Sequence, residues 1–234
     1  MAEQRFKKAR YRHEYKYDIS YFDYIALRQR LRPIMRLDPH TGSDGRYQIR
    51  SIYFDNYNDK ALREKVSGLQ HREKYRIRYY NDDPGFIVLE KKIKDNSLTM
   101  KYDAVITEEE CRKLIDGDLS WMPINGKPLV QELYVKMRGE QLRPRVLVSY
   151  IREPYIYGPG NVRVTFDSDI RTSLYSKSFL DPARQDIPAA DEPGAIILEV
   201  KYDDYLPEVI QHIIQTKGLR QESFSKYGAC RKFG

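Results

Sequence analysis

The stretch from Arg72 to Lys94 constrains this chain more than any other, because its alternation is that of two strands joined by a turn. In the first arm Arg72, Lys74, Arg76, Arg78 and Tyr80 fall on one side, and Tyr75, Ile77 and Tyr79 on the other. A turn at Asn81-Asp82-Asp83-Pro84-Gly85 reverses the chain. In the second arm Val88, Glu90, Lys92 and Lys94 share a face, while Ile87, Leu89 and Ile93 share the opposite one, interrupted by Lys91. Like charges side by side on a sheet repel one another. Such a row is either a solvated surface or one that meets an anion, and the rest of the chain favours the second.

The same two-faced pattern returns elsewhere. Arg12 to Asp18 sets Arg12, Glu14 and Lys16 against His13, Tyr15 and Tyr17, and Tyr47 to Phe54 reads as a strand carrying Arg50. Leu98 to Ile106 sets Thr99, Lys101 and Asp103 against Leu98, Met100, Tyr102 and Ala104. Arg143 to Arg152 and Asn161 to Asp167 flank a Gly158-Pro159-Gly160 turn, with Arg163, Thr165 and Asp167 facing away from Val162, Val164 and Phe166. Ala195 to Tyr202 opposes Glu199 and Lys201 to Ile196, Leu198, Val200 and Tyr202. Helices are expected after a Ser20 cap, with Phe22, Ile25 and Leu31 among their apolar residues, and over Asn56 to Val66. Others follow the Thr107-x-x-Glu110 capping box, Pro128 and Leu206. Residues 176 to 194, rich in Ser, Pro, Asp and Ala, read as a mobile excursion.

Three strands carry the same pair: Glu14-x-Lys16, Glu90-x-Lys92 and Glu199-x-Lys201. Their apolar sides need cover, which the helices supply, so their charged sides face one another. This predicts an α+β fold, a closed antiparallel β-barrel of about eight strands forming a basic tunnel with helices packed outside, as a single domain over residues 1–234. Arg and Lys match the oxygens of a triphosphate, and carboxylates among them suit Mg²⁺ or Mn²⁺. A formal net charge of +7 points the same way, towards polyanions. Tyr75 and Tyr79 alternate away from the cations, which suits packing better than base stacking, so no nucleic acid is expected.

Cys111 and Cys230 give no disulfide framework or metal spacing, and Cys111 reads as core. Residues 1–8 lack the apolar centre of a signal peptide, and no run approaches the ~18 apolar residues of a membrane segment. The expectation is a cytoplasmic protein, with nothing to set its oligomeric state. The chain has neither GxxxxGK[ST] nor GxGxxG after a strand.

Tyr11 to Tyr17, Ser51 to Asn56, Lys74 to Tyr80, Leu89 to Lys92, Ser149 to Arg152, Val162 to Asp167, Leu198 to Tyr202 and Ser225 to Tyr227, taken in this order, resemble the VTC domain of polyphosphate polymerases. That domain lies within the triphosphate tunnel metalloenzyme (CYTH-like) superfamily, and the match runs over about residues 10 to 228. The resemblance implies that the terminal phosphate of a growing polyphosphate attacks the γ-phosphate of ATP and releases ADP. It implies Lys16, Arg76, Arg78, Lys92, Arg152 and Arg163 as phosphate-binding residues, with Lys101 and Lys226 in looser context. Arg50 and Lys201 join this set as cations of the same strands, and Arg76, Arg78, Lys92 and Glu199 are the expected catalytic group. Glu199 is implied as the carboxylate for Mn²⁺ or Mg²⁺, with Glu90 and Glu14 as helpers. A tripolyphosphatase or nucleoside triphosphatase of the same fold, and a polyphosphate-binding module without catalysis, are the alternatives.

Overall fold

The structure, a computed structural model, describes residues 10–173, 176–189, 194–216, 221 and 223–231. The chain begins with β1 (Arg12–Ile19), α1 (Tyr21–Leu31), β2 (Arg36–Leu37), β3 (Tyr47–Asp55) and α2 (Lys60–Val66). The hairpin β4 (His71–Tyr80) and β5 (Asp83–Asp95) follows, then β6 (Leu98–Ile106), α3 (Glu108–Asp116), α4 (Pro128–Gly139) and β7 (Arg143–Tyr157). The last elements are β8 (Val162–Ser173), β9 (Ile187–Pro188), β10 (Ile196–Tyr202), α5 (Glu208–Ile214) and α6 (Lys226–Cys230).

The ten strands are antiparallel in the order β2-β7-β3-β4-β5-β6-β1-β10-β8-β9, and an additional β7–β8 pairing bends the sheet into a ring-like form. This corrects the expected closed barrel of about eight strands enclosing a basic tunnel. The β1–β6 seam holds only the pairs Arg12↔Thr99 and His13↔Leu98, because β1 runs on past the start of β6 and pairs from His13 to Ile19 with β10. Nor is the inner face charged throughout. Along β3 and β7 it carries Tyr47, Ile49, Tyr53, Val146, Val148 and Tyr150, and α6 packs Tyr227 and Cys230 against them.

The outer face is apolar as the alternation requires. Tyr75, Ile77, Tyr79, Ile87 and Leu89 pack beneath α3 and α4 with Cys111, Leu114, Val130 and Leu133. Val162, Val164, Phe166, Leu198 and Val200 pack with Leu27 and Leu31 of α1 and Ile210 and Ile214 of α5. Ser20 caps α1 by accepting from the Asp23 amide; the helix buries Tyr24, Leu27 and Leu31, while Phe22, one of its apolar residues, is 85% exposed. The Thr107/Glu110 capping box forms in full.

Two local expectations change. The hairpin turn is only Asn81-Asp82, both at positive φ (51° and 57°), which matches the tight turn preferred between twisted strands. The 176–194 segment, expected as an excursion, is anchored where described: Phe179 is fully buried beneath Tyr79 and Arg184 and Asp186 form a buried ion pair at 2.8 Å, while residues 181–183, 187 and 188 are exposed. Residues 190–193 lie outside the described set. Among the described residues no helix is long and apolar enough to cross a membrane.

Candidate functional site

Strand register gathers the inner-face charges into three linked groups. In the first, β1 and β10 lie with Lys16 opposite Glu199 and Glu14 opposite Lys201. Glu14 accepts both carboxylate bonds from the Lys92 ammonium (2.9 and 2.7 Å) and lies 3.1 Å from Lys16. Glu199 lies 3.2 Å from Lys201 and 3.8 Å from Lys16. Burial alone would raise both carboxyl groups. Instead Lys16, Lys92 and Lys201 hold Glu14 well below the usual carboxylate range, and Lys201, Lys16, Arg152 and Lys226 do the same for Glu199.

The second group is built on β4, β5 and β6. Glu90 sits opposite Arg76 in the ladder and is 1% exposed. Arg76 Nε and Arg78 Nη2 each approach it to 2.7 Å, and Lys101 donates to it at 2.9 Å. Arg76 also donates to the Tyr53 hydroxyl at 2.9 Å. In the third group Arg152 grips Asp167 with two parallel bonds of 2.6 and 2.7 Å and reaches Glu199 at 3.0 Å. Lys226 of α6 completes it, 2.5 Å from Asp167. Burial would raise Asp167, but Arg152 and Lys226 keep it ionised.

Of the residues expected from sequence, Lys16, Arg76, Arg78, Lys92, Lys101, Arg152, Lys201, Lys226, Glu14, Glu90 and Glu199 thus join one charged region. Arg163 shares the face but sits at its margin, donating to Asp38 and the Tyr47 hydroxyl, each at 2.7 Å. Arg50 does not join. It lies on the opposite face, in the row with Ile52 and Phe54, 2.6 Å from Asp82 and 3.4 Å from the Asp181 carbonyl.

Two participants were missing from the expected set. Asp167, fully buried, is the hub for Arg152 and Lys226, and its alternation with Arg163 was a signal for it. Lys74 stands directly opposite Lys92, with its ammonium over the Tyr227 ring at 4.9 Å. Burial and the charges of Lys92, Arg72, Lys16 and Lys65 bring Lys74 down to about 7.

Buried donors on this face also lack acceptors. Among the described residues Arg78 Nε, Arg163 Nε, Ser51 Oγ and Thr165 Oγ1 are buried without a hydrogen-bond partner. Ser51 pairs with Arg78 across the ladder, and Thr165 with Glu199. Buried polar groups are seldom left unpaired, and such positions are completed by water, an ion or a ligand. A surface of this composition can bind several adjacent phosphates.

The described residues contain no group of three His, Cys, Asp or Glu side chains that could hold a metal ion. Glu90 is committed to two guanidiniums and an ammonium. Glu14 is paired with Lys92, Lys16 and Lys201, and Glu199 with Lys201, Lys16 and Arg152, so a divalent ion at either would have to take the place of an ammonium.

The VTC domain model matches residues 11–233. No curated protein matches the chain significantly. Among solved structures, a Bacillus halodurans protein described as a candidate adenylate cyclase shares 14% identity at a TM-score of 0.50, covering 82% of this chain and 81% of its own. A Pyrococcus horikoshii OT3 protein shares 14% identity at a TM-score of 0.47, covering 93% of this chain and 96% of its own. A conserved hypothetical protein from Pyrococcus furiosus shares 12% at 0.43, covering 87% and 85%.

Proposed function

The chain belongs to the VTC domain family of triphosphate tunnel metalloenzymes, and we propose that it is a metal-dependent polyphosphate polymerase that transfers the γ-phosphate of ATP to a growing polyphosphate. The observation that carries this reading is the set of unpartnered buried donors of Arg78, Arg163, Ser51 and Thr165 on the face that also holds Lys16, Arg76, Lys92, Arg152 and Lys201. Phosphate oxygens are acceptors that such donors can take.

The residues divide the work by geometry. Carboxylates fix the plane of each guanidinium, Glu90 for Arg76 and Arg78 and Asp167 with Glu199 for Arg152, so that their donors are held in set directions to meet phosphate. The terminal oxygen of the acceptor chain is already ionised, so no side chain need remove a proton. It forms a new P–O bond to the γ-phosphorus while the bond from that phosphorus to the β,γ-bridging oxygen breaks, and ADP leaves with the electron pair. Arg76, Arg78 and Lys92 align the two phosphate ends and offset their repulsion and the developing charge. Glu199, with Glu14, would hold Mn²⁺ or Mg²⁺, which when bound supplies a Lewis acid to a phosphate oxygen.

The test is to incubate the protein with ATP and Mn²⁺ and follow ADP, free phosphate and polyphosphate in one tube. ADP matched by polymer, with little free phosphate, is the expected result. ADP matched by free phosphate would replace the reading with a triphosphatase. Tight polyphosphate binding without turnover would reduce it to a binding module.

A further inference from the structure

One end of the inner face continues into a cleft that the proposed reaction does not use. Gly68, at a φ of 69°, ends α2 and turns the chain into β4, which sets Lys65 beside Arg72. The resulting cavity of about 360 Å³ is lined by Lys65, Leu69, Arg72, Lys94 and Ser223.

Its place follows from the hairpin ladder. Arg76 faces Glu90, Lys74 faces Lys92 and Arg72 faces Lys94 in successive same-face rows. At about 3.4 Å per residue the three rows make a strip roughly 14 Å long. The charge changes along it. The first row pairs a cation with a carboxylate, and the next two hold cations only.

Of these outer cations Lys92 is paired with Glu14, whereas Lys65, Arg72 and Lys74 make their described contacts with neutral groups. Lys65 donates to Ser223 Oγ at 2.5 Å, Arg72 to the Leu69 carbonyl at 2.6 Å, and Lys74 lies over an aromatic ring. Burial and neighbouring cations lower both Lys65 and Lys94, although Glu14 pulls Lys94 the other way. Repulsion of this kind is relieved by an anion lying along the strip.

We propose that the cleft of Lys65, Arg72 and Lys94 is a second anion subsite, which takes the trailing phosphates of a linear condensed phosphate whose leading end lies among Arg76, Arg78 and Lys92. The proposal rests on the polyphosphate reading above and adds a length preference to it. A tripolyphosphate is held within the inner site. A longer chain follows the Lys74/Lys92 row outward and gains the contacts of the cleft.

The experiment compares tripolyphosphate with a linear polyphosphate of several tens of phosphates, measuring both affinities at low salt in the unaltered protein and in a Lys65→Met/Lys94→Met variant. The long chain should lose about tenfold in affinity, while tripolyphosphate changes by less than about twofold. Equal losses for both ligands, or none for either, would overturn the subsite. Amine acetylation read by mass spectrometry gives a second measurement without substitution. The long chain should protect Lys65 and Lys94, and tripolyphosphate should leave them reactive. If the unaltered protein binds both ligands but Lys65 and Lys94 stay reactive under the long chain, only the subsite falls. If it binds neither, the polyphosphate reading falls and takes the subsite with it.

Discussion

The two ends of the inner face handle positive charge in opposite ways. Around Asp167, which is fully buried, Arg152 and Lys226 are neutralised by ion pairs of 2.5 to 2.7 Å, and Glu199 adds a further carboxylate. Around Lys74, burial and the cations Lys92, Arg72, Lys16 and Lys65 push its ammonium down. The first arrangement builds rigid, pre-aligned donors at the cost of removing charges from water. The second leaves repulsion that a bound anion relieves. A single strand pair, β4 with β5, spans the change, from Arg76 opposite Glu90 to Arg72 opposite Lys94. Alignment at one end and unmet charge at the other is what a polymer site requires, since the reacting phosphates need fixed positions and the remainder only attraction.

Substitutions that break this contrast have graded effects. Asp167→Asn leaves Arg152 and Lys226 buried without their main counter-charge, and should cost about 3–5 kcal/mol in denaturant unfolding. Millimolar tripolyphosphate should return part of that loss, which sharpens the contrast, because the ligand then does what the carboxylate did. Glu199→Gln should keep the fold while lowering Mn²⁺-dependent turnover by roughly 10- to 100-fold. Turnover that survived with its metal dependence intact would remove Glu199 as the metal carboxylate. Arg78→Ala should lower activity about tenfold. Lys91→Ala should change it by less than about twofold, because Lys91 points outward to Glu73 and Glu132.

The smallest effect belongs to Lys74. It titrates at about 7 in the folded protein against 10.5 for the ordinary group. Between those values the unfolded chain holds a proton that the folded chain lacks, so this group makes stability rise with pH across that window. Below about 7 the full cost of the charged Lys74 is present. Lys74→Met should therefore stabilise the protein at pH 7, by about 1 kcal/mol given partial solvent contact, and flatten the rise from pH 7 to 10 in unfolding titrations.

Much of this was legible in the sequence, and the failures have physical causes. Alternation in β4 correctly separated Arg76 and Arg78 from Tyr75, Ile77 and Tyr79, because each set has only one environment that satisfies it. Tyr75 and Tyr79 bury their rings and still reach polar partners, Tyr75 donating to Glu132 at 2.6 Å and Tyr79 to the Phe179 carbonyl at 2.8 Å. Arg50 was misplaced although the same rule covered it. Its row contains Ile52 and Phe54, which fixes it outward, and its charge alone suggested otherwise.

What could not be read depends on contacts between residues far apart in the chain. The two-pair seam between β1 and β6 joins segments more than eighty residues apart, and neither strand's pattern limits how long the pairing runs. The five-residue α6 is too short for a helical period, yet it brings Lys226 to Asp167 and places Tyr227 against Tyr53. In the excursion, Phe179 anchors the segment in the core, and composition gave no sign of it.

The most direct test of the account is the unfolding stability of the unaltered protein with and without tripolyphosphate at low salt and pH 7. If the inner face is a phosphate site, stability rises with ligand as RT ln(1 + [L]/Kd), by ~2.7 kcal/mol at a hundredfold excess over Kd, and the gain shrinks as salt is added. An unchanged unfolding curve at millimolar tripolyphosphate would contradict the claim that these cations and unpartnered donors are arranged to receive phosphate.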